Sequence, residues 1–301
     1  MTLYTRGYRR YDHGFSSKGV RFGPILAQGY RDAVRGKAFR RLNAFFLLIL
    51  VVHCAWLYLT PDWMIKQIAR QSHGTGASAI TSALSMRFVV TSFVNALTGL
   101  LPLLVVFVGG GLVAEDLRTR ALALYLVRPL TPVDYWLGKL TIPATVVVVS
   151  FLAPALTLVL FGILLKPSSE MLAFASEQGP IVVALLAYTA VVALAFSSLV
   201  LLVSTATARR IPALILGAAV FYGGEMVRAT VAHTNPPGAE FWRATSLMSD
   251  ARVVFHACLD ETILLEGHPP SLRAALFVLG GVTALGAFAV LRRARTVEIT
   301  S

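Results

Sequence analysis

Charge-free apolar windows long enough to cross about 30 Å of hydrocarbon recur six times along the chain, at 42–61, 88–114, 140–165, 178–208, 211–224 and 274–291. The third and fourth are long enough to span with tilt to spare. The fifth is short and needs residues 225–227 to complete a crossing. Before the first window, GPILAQGYRDAVRGKAFRR reads as a helix entered through Pro24. Leu26, Tyr30, Ala33, Val34 and Ala38 share one face, and Arg31, Arg35 and Arg40 crowd the other. That pattern is expected of a helix lying on a membrane surface. The longest interval between windows, 228–273, sets Phe241, Trp242, Leu247, Val253, Val254 and Phe255 between Pro236-Pro237 and Pro269-Pro270. Its aromatic content predicts short helices resting at the interface. The expected fold is an all-α integral membrane protein of six transmembrane helices. A basic leader and amphipathic entry helix occupy 1–41, and the six-span domain occupies 42–301.

Composition agrees and adds a direction. Hydrophobic residues make up 56% of the 301 positions and charged residues 14%, with a mean hydropathy of +0.70. Soluble domains run to about 45–50% apolar and about 25% charged, so a bilayer is the natural solvent. A net charge of +12 invites a nucleic-acid reading, but the placement of the charges argues against it. Of the 27 lysines and arginines, 19 fall in 1–41, 115–139, the Arg209-Arg210 pair and 292–295. Six crossings put those segments on one side, and the positive-inside rule makes that side, with both termini, cytoplasmic. The leader has no apolar core of the kind a cleavable signal peptide needs, and Thr2 excludes an N-terminal glycine acylation motif. Cys54 and Cys258 match no metal-ligand spacing, and no metal site is expected.

One passage breaks the apolar pattern sharply: LVRPLTPVDYWLGK, over 126–139. Pro129 stops the helix before it, because a residue preceding proline is pushed out of helical geometry. Thr131 is placed to cap a new helix, Pro132 suits its first turn, and Asp134 suits the acidic position of a capping box. The carboxylate of Asp134 also complements the positive end of the helix dipole. The passage predicts a short, well-capped cytoplasmic helix over 131–139, with Tyr135 and Trp136 beside Arg128 and with Lys139 at the membrane edge. Tyrosine, tryptophan and arginine are the usual anchors of protein interfaces. A plain hairpin turn with interfacial aromatics is the other reading of the same residues.

The run GLVAEDLRTRALALYLVRPLTPVDYWLGKL resembles the signature region of the type-two ATP-binding-cassette permeases. Gly111, Glu115, Leu126, Arg128, Pro129, Tyr135, Gly138 and Lys139 carry the resemblance. It implies the permease subunit of an ABC exporter in a bacterial inner membrane, working by alternating access as a homodimer or with a related permease. It further implies that the entry helix and the first cytoplasmic loop contact a separate ATPase subunit, where ATP and Mg bind. Glu115, Arg128, Pro129, Thr131, Asp134, Tyr135, Trp136 and Lys139 are then the docking candidates. The alternative is a channel-like or regulatory multi-span protein without an ATPase partner.

The chain itself has no GxxxxGK[ST] phosphate loop. The nearest approach, RDAVRGKA, lacks the first glycine and the terminal hydroxyl. HExxH and GxSxG are absent as well, so neither an ATPase nor an intramembrane hydrolase is expected, and no cofactor is expected on this chain. His53 is the one histidine inside a window and reads as a packed, hydrogen-bonded residue. Thr91, Asn95 and Thr98 share one face of the second span. They are candidates for lining a pathway or for bonding to neighbouring helices. Glu225 follows Tyr222-Gly223-Gly224 near the outer end of the fifth span, where an ionisable group is a functional suspect or an interfacial one.

Overall fold

The structure, a computed structural model, describes residues 23–60, 85–119, 131–207, 209–234, 238–259 and 270–300. Every regular element among them is helical: α1 Gly23–Arg35, α2 Lys37–Leu59, α3 Met86–Gly109, α4 Leu112–Arg118, α5 Pro132–Val147, α6 Ala153–Leu164, α7 Ser168–Glu177, α8 Gly179–Ala206, α9 Arg210–Thr234, α10 Ala239–Arg243, α11 Leu247–Ala257 and α12 Leu272–Thr300. A five-residue π turn, Val148–Leu152, joins α5 to α6 into one rod. Six helical units are long and apolar enough to cross a bilayer: α2, α3 with α4, α5 through α6, α8, α9 and α12. The chain is an all-α, multi-pass membrane protein.

The fifth span takes in 225–227, as its crossing requires: α9 continues to Thr234, past Glu225 and Arg228, which pair one turn apart. The interval after it is not a set of helices resting at the interface. Only α10 fits that expectation, with Phe241 and Trp242 exposed. α11 buries nine of its residues, Phe255 among them, because it folds back against α8 and α12.

α8 is the axis of the bundle. It packs on α3, α4, α5, α9, α11 and α12, most extensively on α12. Small residues make this possible. A Cβ on Gly286 of α12 would run into the Ser198 carbonyl of α8, and one on Gly109 would meet the Val200 side chain. Close approach through small residues is how helices associate where no water drives them together. The run Gly109–Gly111, read in the sequence as the exit of the second span, serves the same end. Gly110 abuts Leu214 and Gly111 abuts Arg210, both on α9.

α1 does not stand alone. It packs along α5, with Gly29 against Ile142, and its apolar face residues Tyr30, Ala33 and Val34 join the core.

Candidate functional site

The charged passage lies at one end of the bundle. There α5 starts beside α4, with α8 and α12 packed along it. Its first turn is built as the residues dictate. The Thr131 hydroxyl accepts from the Asp134 backbone N–H at 3.2 Å, and the Asp134 carboxylate accepts from the Thr131 backbone N–H at 3.0 Å. Both halves of the capping box are therefore present, with Pro132 in the first turn. α4 lacks a cap of its own. Ser204, from the end of α8, supplies one: its Oγ accepts from the backbone N–H groups of Val113 and Ala114 at 3.1 and 3.0 Å.

A buried polar triad ties α4 to α5. The Tyr135 hydroxyl donates to Asp116 Oδ2 at 2.7 Å, and Lys139 Nζ lies 2.7 Å from the same oxygen. Tyr135 is 1% exposed and Lys139 6%. Tyr135 and Lys139 sit one helical turn apart on α5, so both reach one carboxylate. Around them Val113, Leu140, Leu201 and Val290 form a small apolar cluster, with Trp136 packed at its margin. A carboxylate and an ammonium removed from water survive there because each satisfies the other and the tyrosine adds a further donor.

This changes the expected roles. Tyr135, expected as an exposed anchor, and Lys139, expected at the membrane edge, face inward instead. The helix turns them toward α4, and Asp116, which the sequence reading passed over in favour of its neighbour Glu115, holds them there. Glu115 points outward and pairs with Arg118. Nor is 131–139 a separate helix: nothing after Lys139 interrupts the backbone, so it forms the first turns of the third span itself. Thr131 and Val133 are exposed on that turn, and Asp134 and Trp136 are half-buried. Arg128 and Pro129 lie outside the described residues, as does the leader.

Beside the triad opens a cleft of about 1070 Å³, lined by Glu115, Leu117 and Arg118 of α4, the α8–α9 turn with Arg209, Arg210 and Ile211, and Arg293 of α12. Among the described lining residues four arginines face a single carboxylate.

The other polar candidates separate. Glu225, fifteen residues and about 22 Å of helix beyond Arg210, sits at the opposite end of the bundle. It accepts from Arg228 Nε and Nη2 at 3.0 and 2.7 Å, from Arg252 Nη2 of α11 at 2.9 Å, and from the Ser246 hydroxyl. Ser246 also caps α11, accepting from the Ser249 backbone N–H at 3.1 Å. Asp250, one turn into α11, is fully buried, and neither of its oxygens has a hydrogen-bond partner among the described residues. Burial, and then the charge of Glu225, push its carboxyl up to about 8. No local pattern announces Arg252, Ser246 or Asp250 here, because twenty or more residues separate each from Glu225.

Thr98 takes the helix-bonding role. It is buried, bonded to the Tyr188 hydroxyl at 2.5 Å and to the Val94 carbonyl at 2.6 Å. Thr91 and Asn95 lie half-buried on the same face, with Thr91 Oγ1 and Asn95 Oδ1 buried and unpartnered among the described residues. His53 is packed as expected, with Nδ1 2.8 Å from the Ile49 carbonyl and its ring edge-on to Phe93. No group of histidine, cysteine or carboxylate side chains suited to a metal ion occurs among the described residues.

No protein-family model matches this chain, and no curated protein matches it. The class that the fold defines is an all-α, multi-pass membrane protein, with six candidate spans among the described residues.

Proposed function

We propose that this chain is the membrane-spanning permease subunit of an ATP-driven exporter, paired with a second permease chain and with two separate ATPase subunits. The observation that carries the reading is the bracing of the charged passage. A capped helix start is joined through a buried Asp116–Tyr135–Lys139 triad to the end of the second span. A membrane hairpin turn needs no buried ion pair. A surface that receives force does need rigid attachment, and here the second and third spans are attached to the same point. α1, packed along α5, brings the entry helix into the same unit.

In this reading the ATPase docks on the exposed first turn of α5 around Thr131 and Val133, with exposed Glu115 of α4 as a further contact. Closure of the two ATPases pushes α5 and α1, and the triad carries the displacement into α3–α4. Access to the substrate path then passes from one side of the membrane to the other. The buried members, Tyr135, Lys139 and Asp116, transmit the push, and the exposed ones make the contact.

The test is co-purification of a phosphate-loop ATPase with the detergent-solubilised chain expressed in its native host. Val133→Glu sets a charge on an exposed apolar contact and should abolish capture while leaving the gel-filtration profile intact. Thr131→Ala, costing about 1 kcal/mol of cap, should weaken capture roughly five-fold. Phe241→Ala, at the opposite end, should change nothing. If the wild-type chain captures no ATPase, or Val133→Glu captures as much as wild type, the exporter assignment fails.

A further inference from the structure

We infer that the arginine cleft beside α4 binds the phosphate headgroup of an anionic phospholipid, with the acyl chains laid along α9. Three observations meet here. The first is charge. Arg118, Arg209, Arg210 and Arg293 converge on one cleft whose single described carboxylate, Glu115, is already engaged by Arg118. Guanidinium groups match phosphate oxygens in two-point geometry, and they are less strongly hydrated than lysine.

Position is the second. The cleft is built from the ends of spans: α4, the α8–α9 turn and the last turns of α12. It therefore stands at the level where headgroups lie. Arg209 and Arg210 are exposed at its mouth.

The third decides between a lipid and a soluble anion. Ile211, at the rim, is 70% exposed, and Ile215 and Met226 are 66% and 72% exposed. With exposed Ala219 they recur at helical spacing on one face of α9. This apolar track starts at the cleft and runs toward the other end of the bundle. A free phosphate or an acidic peptide segment has no use for it, whereas a diacyl chain does.

The site is independent of whether the chain partners an ATPase, so its test needs none. The full chain, purified in neutral detergent, is titrated with phosphatidylglycerol in mixed micelles, and bound lipid is counted by native mass spectrometry. Wild type should saturate with phosphatidylglycerol and not with phosphatidylcholine. Arg209→Gln with Arg210→Gln should raise half-saturation about thirty-fold, from about 1 kcal/mol for each basic residue near an anionic surface. Arg273→Glu, at the opposite end of α12, should leave it unchanged. Arg209→Glu with Arg210→Glu, if it folds, reverses the charge and should raise half-saturation further. Ile211→Ser with Ile215→Ser should weaken lipid binding as well.

Unchanged binding in the folded arginine variants would overturn the inference, as would equal binding of phosphatidylcholine. Inorganic phosphate competing at millimolar concentration, with the isoleucine pair indifferent, would overturn the lipid in favour of a soluble anion.

Discussion

Replacing Asp116 by asparagine keeps the shape of the triad and removes its charge. Lys139, 6% exposed, then faces a neutral amide where a carboxylate oxygen stood 2.7 Å from its Nζ. Breaking a buried pair by removing one partner costs about 3–5 kcal/mol, because the remaining charge is buried and uncompensated. Tyr135→Phe is milder, removing one hydrogen bond to a charged acceptor, worth roughly 1.5–3 kcal/mol. Replacing both charges, Asp116→Leu with Lys139→Met, should recover much of the loss, since a buried pair exchanged for apolar groups of similar volume is often near neutral. The ordering, not any single value, is the prediction: Asp116→Asn worst, Tyr135→Phe intermediate, the double exchange closer to wild type than Asp116→Asn. Thermal unfolding in detergent followed by size-exclusion fluorescence reads it, at about 2 °C or more per kcal/mol, so Asp116→Asn should fall by roughly 6–10 °C. If Asp116→Asn melts within a degree of wild type, Asp116 and Lys139 are not the buried, coupled pair described above. A double exchange as unstable as Asp116→Asn would likewise show that packing, rather than charge, sets the cost.

Three further outcomes are expected. Gly286→Ala should reduce folded yield sharply, because its Cβ would press on the Ser198 backbone. Gly280→Ala on the same helix meets nothing and should be neutral or slightly stabilising by virtue of alanine's helix propensity; equal yields of the two would refute the close α8–α12 crossing. The Asp250 carboxyl is raised from 3.8 to about 8, so the folded chain holds a proton there that the unfolded chain releases. That part of the stability is complete at pH below about 4 and is lost as pH rises toward 8. Melting curves from pH 5 to 8 should therefore fall more steeply for wild type than for Asp250→Asn, and parallel curves would contradict the burial. Cys258 is exposed and Cys54 half-buried. With the basic end cytoplasmic, a Cys54→Ser chain should react at Cys258 with an impermeant thiol reagent in intact cells, and absence of labelling would reverse the orientation.

What the sequence made legible was periodic or local. Six apolar windows give six spans because burial in lipid demands continuous helix, and the capping box spans only four residues. What it hid depended on facing. Glu115 and Asp116 differ by 100° around a short helix, and only contact with α5 decides which turns inward. One signal was present: Asp116 lies three residues after Val113, so an apolar residue and an acid shared a face. Tyr135 and Lys139 were read as a surface because a tyrosine and a lysine near a membrane edge usually are one. Their burial became visible only with Asp116. The Glu225 network was out of reach, since Ser246 and Arg252 come to it through the fold-back of α11, which no local pattern announces.

The place of α8 at the axis has a consequence for biosynthesis. Its most extensive partner, α12, lies C-terminal to every other span described. While the chain is being made, α8 enters the membrane with the Ser198 face uncovered, and it stays so through the synthesis of α9, α10 and α11. The bundle is thus closed late, by a helix whose Gly286 fits against the Ser198 backbone. Until that moment the buried hydroxyls of Ser197 and Ser198 are accessible to any other small-faced helix inserting nearby, so fidelity of assembly rests on the interval between the emergence of α8 and that of α12.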